Sequence, residues 1–215
     1  MKITYANKLL NEIEANLEIV LLKRSKYLKT NNMFLKEKKL YVKIPNYKFY
    51  TITEIITNVI KYINKINKYQ SIKIALYGIT NKKIQALIDG LLLGSYDFVR
   101  YKSKIKKIKL KEIFIANENY QELQFSYEEI KLKINNHIII NKNINLTREI
   151  INSVADDTTP EKISNWIKEE LENTNIECLI KDKNYIRTEL PAFYDISKGS
   201  TNQPNLVHLK YNEHK

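Results

Sequence analysis

SIKIALYGITNKKIQALIDGLLLGSYDFVRYKS (residues 71–103) carries the reading that decides the fold. Its first seven residues (SIKIALY) read as a strand, and Gly78 stops them. Beyond Asn81, which is placed to cap a helix, Ile84, Leu87, Ile88, Leu91, Leu92 and Ser95 recur at helical spacing, with Phe98 further along. Gly90 and Gly94 stand four apart on that same face. A glycine inside a helix costs about 1 kcal/mol relative to alanine. Two at this spacing therefore predict a flat surface onto which another backbone packs closely. The stretch closes on an aromatic and basic tail.

Working outward, residues 17–22 (LEIVLL) form a short apolar run and residues 39–44 (KLYVKI) alternate; both are predicted strands, the second ended by Pro45. Thr51 and Glu54 have the spacing of a capping box. They precede Ile52, Ile55, Ile56, Val59, Ile60, Ile63 and Ile66, which fall on one helical stripe. Residues 109–115 (KLKEIFI) are the next predicted strand. A β-α-β-α-β order of this kind predicts an α/β layered domain with a largely parallel or mixed sheet. From residue 120 to 153 turn signals vanish and a long helix is expected. Thr158 or Thr159 then caps a further helix with Pro160 in its first turn. Ile163, Trp166, Ile167 and Leu171 would be its buried stripe. Residues 176–180, 191–196 and 206–211 are predicted strands. No internal repeat and no Gly/Ser-rich linker interrupts the chain.

At 215 residues the chain has room for one large domain, or one domain and part of another. A 43% hydrophobic content supports a sizeable core and argues against disorder. Lysine, isoleucine and asparagine dominate, which reads as an AT-rich coding sequence, so part of the net charge of +12 follows from that bias. One cysteine excludes an internal disulfide and any multi-cysteine metal site; Cys178, between apolar neighbours, is expected to be a buried structural thiol. Acidic residues run through the apolar pattern of the first 23 residues, unlike the uncharged segment of a signal peptide. No run approaches the roughly 18 apolar residues of a membrane span. A soluble, cytoplasmic protein is expected.

Few arrangements of reactive side chains survive inspection. His137, His208 and His214 belong to no H-E-x-x-H pattern, Gly199-Ser200 lacks the second glycine of a nucleophile elbow, and neither GxGxxG nor GxxxxGK[ST] occurs. Asp156 and Asp157 precede a predicted helix start, where the dipole favours acidic residues. Arg100, Lys102, Lys104, Lys106, Lys107, Lys109 and Lys111 crowd into twelve residues. This cluster has two readings. It is a solvated basic face, or Lys102, Lys104, Lys106, Lys107 and Lys109 are candidate phosphate contacts of a nucleic-acid-binding module.

Three stretches carry a resemblance. Residues 88–103 resemble the "GLLLGSYxFxxYKS" run of the leucyl aminopeptidase (cytosol aminopeptidase) family. INLTREIINS (residues 144–153) followed by TPEKI (159–163) is similar to the passage leading to that family's catalytic domain, and SKGSTNQPNLVHLKY (197–211) to its first strands. The resemblance implies a macro-domain-like N-terminal α/β layered domain over residues 1–119, a linker helix over 120–153, and over 154–215 the first strands and helix of a truncated second α/β domain. It also implies a hexameric, cytoplasmic metalloexopeptidase that uses zinc, manganese or magnesium in a two-metal site to release N-terminal residues, preferably leucine. Glycine-rich loops of the kind that bind ADP-ribose in macro domains are not expected with four glycines in the chain. The family's metal-site runs, of the type "KGxTFDSGG" and "NTDAEGR", do not occur here and would be expected shortly after Lys215. On that reading this chain contains no catalytic and no metal-binding residue, and is inactive alone. The alternative is a stand-alone module that binds nucleic acid or assembles with an active homologue.

Overall fold

The computed structural model describes residues 1–22, 33–44, 49–75, 81–117 and 126–211. It divides the chain into two compact units, Met1–Arg148 and Glu149–Lys215.

The first unit is built on a six-stranded sheet. Its strands are β1 (Lys2–Leu9), β2 (Leu17–Leu22), β3 (Met33–Lys36), β4 (Lys39–Lys43), β5 (Ser71–Ala75) and β6 (Glu112–Asn117), in the order β1-β6-β5-β2-β4-β3. Every pair is parallel except β3 with β4, a hairpin whose turn holds Glu37 at φ 53°. The sheet is therefore mixed and mainly parallel, as the alternating pattern implied. Ile19, Ile72, Ile74, Ile113 and Ile115 point to one face and are fully buried there. Helix α1 (Phe49–Ile66) lays Ile52, Ile56, Val59, Ile60 and Ile63 on that core. Helix α2 (Asn81–Gly94) adds Ile84, Leu87, Ile88 and Leu91. The long helix α3 (Tyr127–Asn152) reaches the same core through Ile130 and Ile134, and Tyr127 stacks on Tyr5 of β1 at 5.3 Å between ring centroids. The opposite face carries a smaller cluster around Leu10, Ile13 and Ala116, topped by a 3-10 turn at Leu10–Glu12. There Lys73 donates to the Leu10 and Ile13 carbonyls at 3.0 and 3.1 Å and faces Glu18 at 3.6 Å.

The two helical glycines answer a geometric need. A Cβ at Gly90 would stand 2.6 Å from Ile56 Cβ and 2.8 Å from the Thr53 carbonyl, and one at Gly94 2.7 Å from Ile60 Cβ and 2.8 Å from the Thr57 carbonyl. Only hydrogen at these positions lets α2 lie this close to α1, and Thr57 Oγ1 donates to the Gly90 carbonyl across the gap at 3.4 Å.

In the second unit, α4 (Pro160–Leu171) packs on β7 (Ile176–Lys181), which pairs antiparallel with β8 (Leu206–Tyr211). Between the strands run two short helices, α5 (Lys183–Glu189) and α6 (Pro191–Ser197). Thr159 caps α4 by accepting from the Lys162 amide, with Pro160 next in line, and Asp182 caps α5 from its side chain.

Several sequence expectations need correction. Thr51 lies inside α1, which has already begun at Phe49, so Thr51 and Glu54 form no capping box. The strand predicted at residues 109–115 starts at Glu112 rather than residue 109. The amides of Lys109 and Lys111 are spent on Asn67 Oδ1 and the Gln70 carbonyl instead of on the ladder. Residues 191–196 are helical, because proline at the first helical position needs no amide partner and the Tyr194 amide bonds the Leu190 carbonyl. The stripe Ile163, Trp166, Ile167 and Leu171 is half-buried, with Ser164 as the buried residue of α4. Cys178 is likewise half-buried. Strands β1 and β3 went unforeseen. Gly78, Pro45 and His214 lie outside the described residues, as does the side chain of Asn81.

Candidate functional site

After α2 the chain turns through Ser95, whose hydroxyl donates to the Leu92 carbonyl at 2.6 Å, and runs as irregular, exposed backbone to residue 111. The Arg148 guanidinium covers the Tyr96 ring at 5.3 Å, and Phe98 meets Tyr101 edge-on. What fixes the path of the basic segment is Asn67, one residue past the end of α1. Its backbone is left-handed, at φ 54°. Asparagine tolerates that conformation better than most residues. Its amide nitrogen donates to the Lys107 carbonyl at 3.0 Å, while its Oδ1 accepts from the Lys109 amide at 2.8 Å. Close by, the Lys106 ammonium donates to the Lys65 carbonyl at 2.8 Å, a cation placed where the helix dipole is negative.

These bonds decide the fate of each predicted contact residue. Lys102 is paired with Asp97 at 2.7 Å, both about half exposed, a pair that contributes little. Lys106 is engaged at the helix end. Lys104, Lys107 and Lys109 are exposed, and among the described residues none has a salt-bridge partner. The folded chain adds what the linear cluster did not announce. Lys65, in the last turn of α1, and Lys68, just past the left-handed Asn67, are exposed and lie beside the same segment. Residues 55–88 and 98–111 both lack any aspartate or glutamate.

A second polar grouping was also unforeseen. Asp89 of α2 lies 2.7 Å from His137 Nδ1 on α3, and the same carboxylate oxygen accepts from the Asn141 amide at 2.7 Å. Asn141, almost fully buried, also donates to the His137 carbonyl, and its Oδ1 has no partner among the described residues. The sequence signal was there: an aspartate on the apolar face of α2, and His137 and Asn141 one turn apart on α3. No pattern in the chain said that they meet.

Hydrolytic chemistry of the two-metal kind needs several carboxylate or imidazole donors around one point. Among the described residues no group of three or more His, Cys, Asp or Glu side chains converges. Asp156 and Asp157 lie in a 3-10 turn at Ala155–Asp157, as helix-start residues. There the Lys162 ammonium donates to the Asp156 carbonyl at 2.6 Å and sits 3.8 Å from the Asp157 carboxylate. His208 is exposed on β8, opposite Leu179. The donors described do not fit a metal centre. At the end of α6, the Asp195 carboxylate, hydrogen-bonded at 2.6 Å, holds the exposed Lys198 ammonium above its ordinary pKa. No described helix is long and apolar enough to cross a membrane.

Comparison with known proteins locates these features. Residues 145–215 match the model of the cytosol aminopeptidase family, catalytic domain. A probable cytosol aminopeptidase of Campylobacter jejuni is 29% identical over 98% of this chain, and another of Helicobacter hepaticus 34% identical over 66% of it. Those alignments cover 48% and 30% of the relatives, so the chain spans about half their length or less. In fold, a mutant tomato leucine aminopeptidase superposes on the whole chain with a TM-score of 0.80 at 16% identity, over 51% of its own length. The bottromycin maturation enzyme BotP in complex with Mn superposes with a TM-score of 0.72 at 13% identity, over 94% of this chain and 46% of its own. The catalytic-domain match takes in the last four residues of the first unit and all of the second, and the Campylobacter alignment extends the kinship over nearly all of the rest. This chain belongs to the cytosol aminopeptidase family.

Proposed function

We propose that these 215 residues serve as the N-terminal, by itself non-catalytic portion of a leucyl aminopeptidase-like metalloexopeptidase. The first unit shapes the assembly and access to the enzyme, and the second opens its catalytic domain. The observation that carries this reading is the surface of the second unit. Its sheet has two strands, whereas independent stability ordinarily takes three or more strands or good cover from a helix. Leu179, Phe193, Ile196, Leu209 and Tyr211 remain exposed, Ile196 to 81% and Tyr211 to 67%. Apolar surface of this kind marks a face that another element covers. Further residues of a catalytic domain, on this polypeptide or on another, would cover it and would bring the ligands for zinc, manganese or magnesium. The metal dependence of the family and the exposed face support the same division of labour.

The test is hydrolysis of a leucine chromogenic amide by the purified 215-residue chain with manganese or zinc. We expect no turnover above buffer, and metal-dependent turnover when the chain is co-produced with the remaining catalytic segment of the Campylobacter relative. Turnover by the chain alone, abolished by a chelator, would overturn the reading.

A further inference from the structure

We infer that the outward face of α3, within the first unit, is a pairing seam for the α3 helix of a second copy of this chain, the two helices running parallel and in register. This inference is independent of the proposed role in peptide hydrolysis. It stands on a residue spacing and on the rotation at which the helix is docked. Ile134, Asn141 and Arg148 recur every seven residues and all face the body of the unit: the first two are buried, and Arg148 covers the Tyr96 ring. Asp89, bonded to both His137 and Asn141, holds the helix at that rotation. On the opposite side Leu132, Ile139 and Leu146 also recur every seven residues, with Asn136 and Asn143 between them. Alternating steps of four and three are the heptad spacing of a coiled coil, here with the apolar residues at the d positions and the asparagines at the a positions. Leu132 and Ile139 are each 61% exposed, and both asparagines are exposed as well. From Leu132 to Leu146 the seam is about 21 Å long.

The occupant is a second copy because the seam complements itself. Parallel, in-register pairing sets Asn136 opposite Asn136 and Asn143 opposite Asn143, and facing amides can exchange hydrogen bonds. Asn143 spends one amide hydrogen on the Ile139 carbonyl at 2.9 Å, which leaves its other hydrogen and Oδ1 for the pair. Antiparallel pairing sets a against d, so each amide would face leucine or isoleucine and lose its water without a partner. A lipid surface would leave the same amides unpaired in hydrocarbon. Charge agrees with the parallel arrangement. Glu128 occupies a g position and Lys133 the next e position, which meet across a parallel seam, so two-fold symmetry makes the Glu–Lys contact twice. The helix is already formed and fixed on its own unit, so association orders little that was loose. Short length and two polar layers keep the pair weak.

The intact chain is sedimented from about 5 to about 200 µM, and a passage from monomer to dimer is expected with Kd on the order of 10–100 µM, as suits a small interface. Ile139→Lys should weaken dimerisation at least tenfold, whereas Ile105→Lys, at a residue 63% exposed elsewhere, should change it less than twofold. Circular dichroism checks that both variants keep their helix content. Asn136→Leu/Asn143→Leu should tighten association at least tenfold and lose the exclusive dimer, because the polar a positions that specify it are gone. Register is read by disulfide formation in a Cys178→Ser background with glutathione disulfide as oxidant. Facing a positions bring their Cα atoms to about 4–7 Å, within disulfide reach. Asn136→Cys should therefore give a covalent dimer, and Lys131→Cys, on the flank of the helix, should not. A monomer over the whole range overturns the inference. So does a dimer indifferent to Ile139→Lys, which would assign association to another face. Failure of Asn136→Cys to link to itself while it links to Ile139→Cys in a mixture would mean antiparallel pairing and overturns it too. Loss of the covalent dimer when the chain is co-produced with the remaining catalytic segment of the Campylobacter relative would assign the face to that segment, and likewise overturns it.

Discussion

Replacing Gly90 by alanine sets two well-characterised effects against each other. In an isolated helix the change gains about 1 kcal/mol from propensity. Here the new Cβ would meet Ile56 Cβ at 2.6 Å, the Thr53 carbonyl oxygen at 2.8 Å and Ile56 Cγ2 at 2.9 Å. Contact between carbons becomes favourable only near 3.5 Å, so α1 and α2 must part by about 1 Å. Two of the obstructing atoms, a carbonyl oxygen and a Cβ, belong to or lie next to the α1 backbone and cannot rotate away. Overpacking of a filled core costs about 1–3 kcal/mol, occasionally more. Separating the helices also loosens Ile56, Ile60, Leu87 and Leu91, all fully buried in the shared core. The cost therefore exceeds the propensity gain, and we expect a net destabilisation of about 1–2 kcal/mol, read as a melting point lower by about 2–8 °C at roughly 2–4 °C per kcal/mol. Urea unfolding followed by far-ultraviolet circular dichroism measures it. Adding Gly94→Ala should cost less than it does alone, because the helices have already parted and the two sites share one interface. Gly199→Ala is the control: its Cβ would meet nothing nearer than the Ile196 carbonyl at 3.8 Å, and a change within about 0.5 kcal/mol is expected. A stabilised Gly90→Ala protein would refute the reasoning.

Three further outcomes are expected. Asp89→Ala strips an acceptor from the buried Asn141 amide and from His137, so a loss of about 1–3 kcal/mol is expected in urea unfolding, and a double-mutant cycle with His137→Ala should show coupling above about 0.5 kcal/mol. Asn67→Ala, which keeps neither the left-handed preference nor the clamp, should expose the bonds after Lys104 and Lys107 to faster tryptic cleavage than Asn67→Gly, which relieves the backbone. Because Asp195 raises the Lys198 pKa, the pair contributes below lysine's ordinary titration and is lost as pH rises through the raised value. The pair is fully exposed and screened, so that contribution is small: a nuclear magnetic resonance titration should show Lys198 shifting down in Asp195→Asn, with no measurable change in stability at neutral pH.

The legible parts of the fold were those with local periodicity. The isoleucine stripe of α1 and the face of α2 could be read at helical spacing, and the glycine pair announced a close crossing. Strand β1 could not, because KITYANKL pairs with β6, and nothing local marks which partner makes it a strand. PAFYDIS reads as an apolar run whichever structure it takes, and proline suits a helix start as well as a strand end. The site divides the same way. Seven basic residues in twelve were plain in the sequence, but Lys65 and Lys68 join them only because Asn67 turns left-handed at the end of α1. Asp89, His137 and Asn141 meet because α2 and α3 cross, a fact of tertiary packing that no spacing encodes.

The register of the first strand has a consequence for synthesis. Lys2 stands opposite Glu112, so β1 must wait for roughly 110 further residues before its partner exists. At about 5–20 residues per second on the ribosome, that is a delay of roughly 6–22 s. During it the hydrogen-bonding edge of Lys2–Leu9 is bare and open to any passing strand. The sheet's interior strands β2, β4 and β5 can join earlier, which makes β1 a late arrival in folding although it is translated before them. A nascent chain stalled before β6 should therefore be the species that chaperones hold.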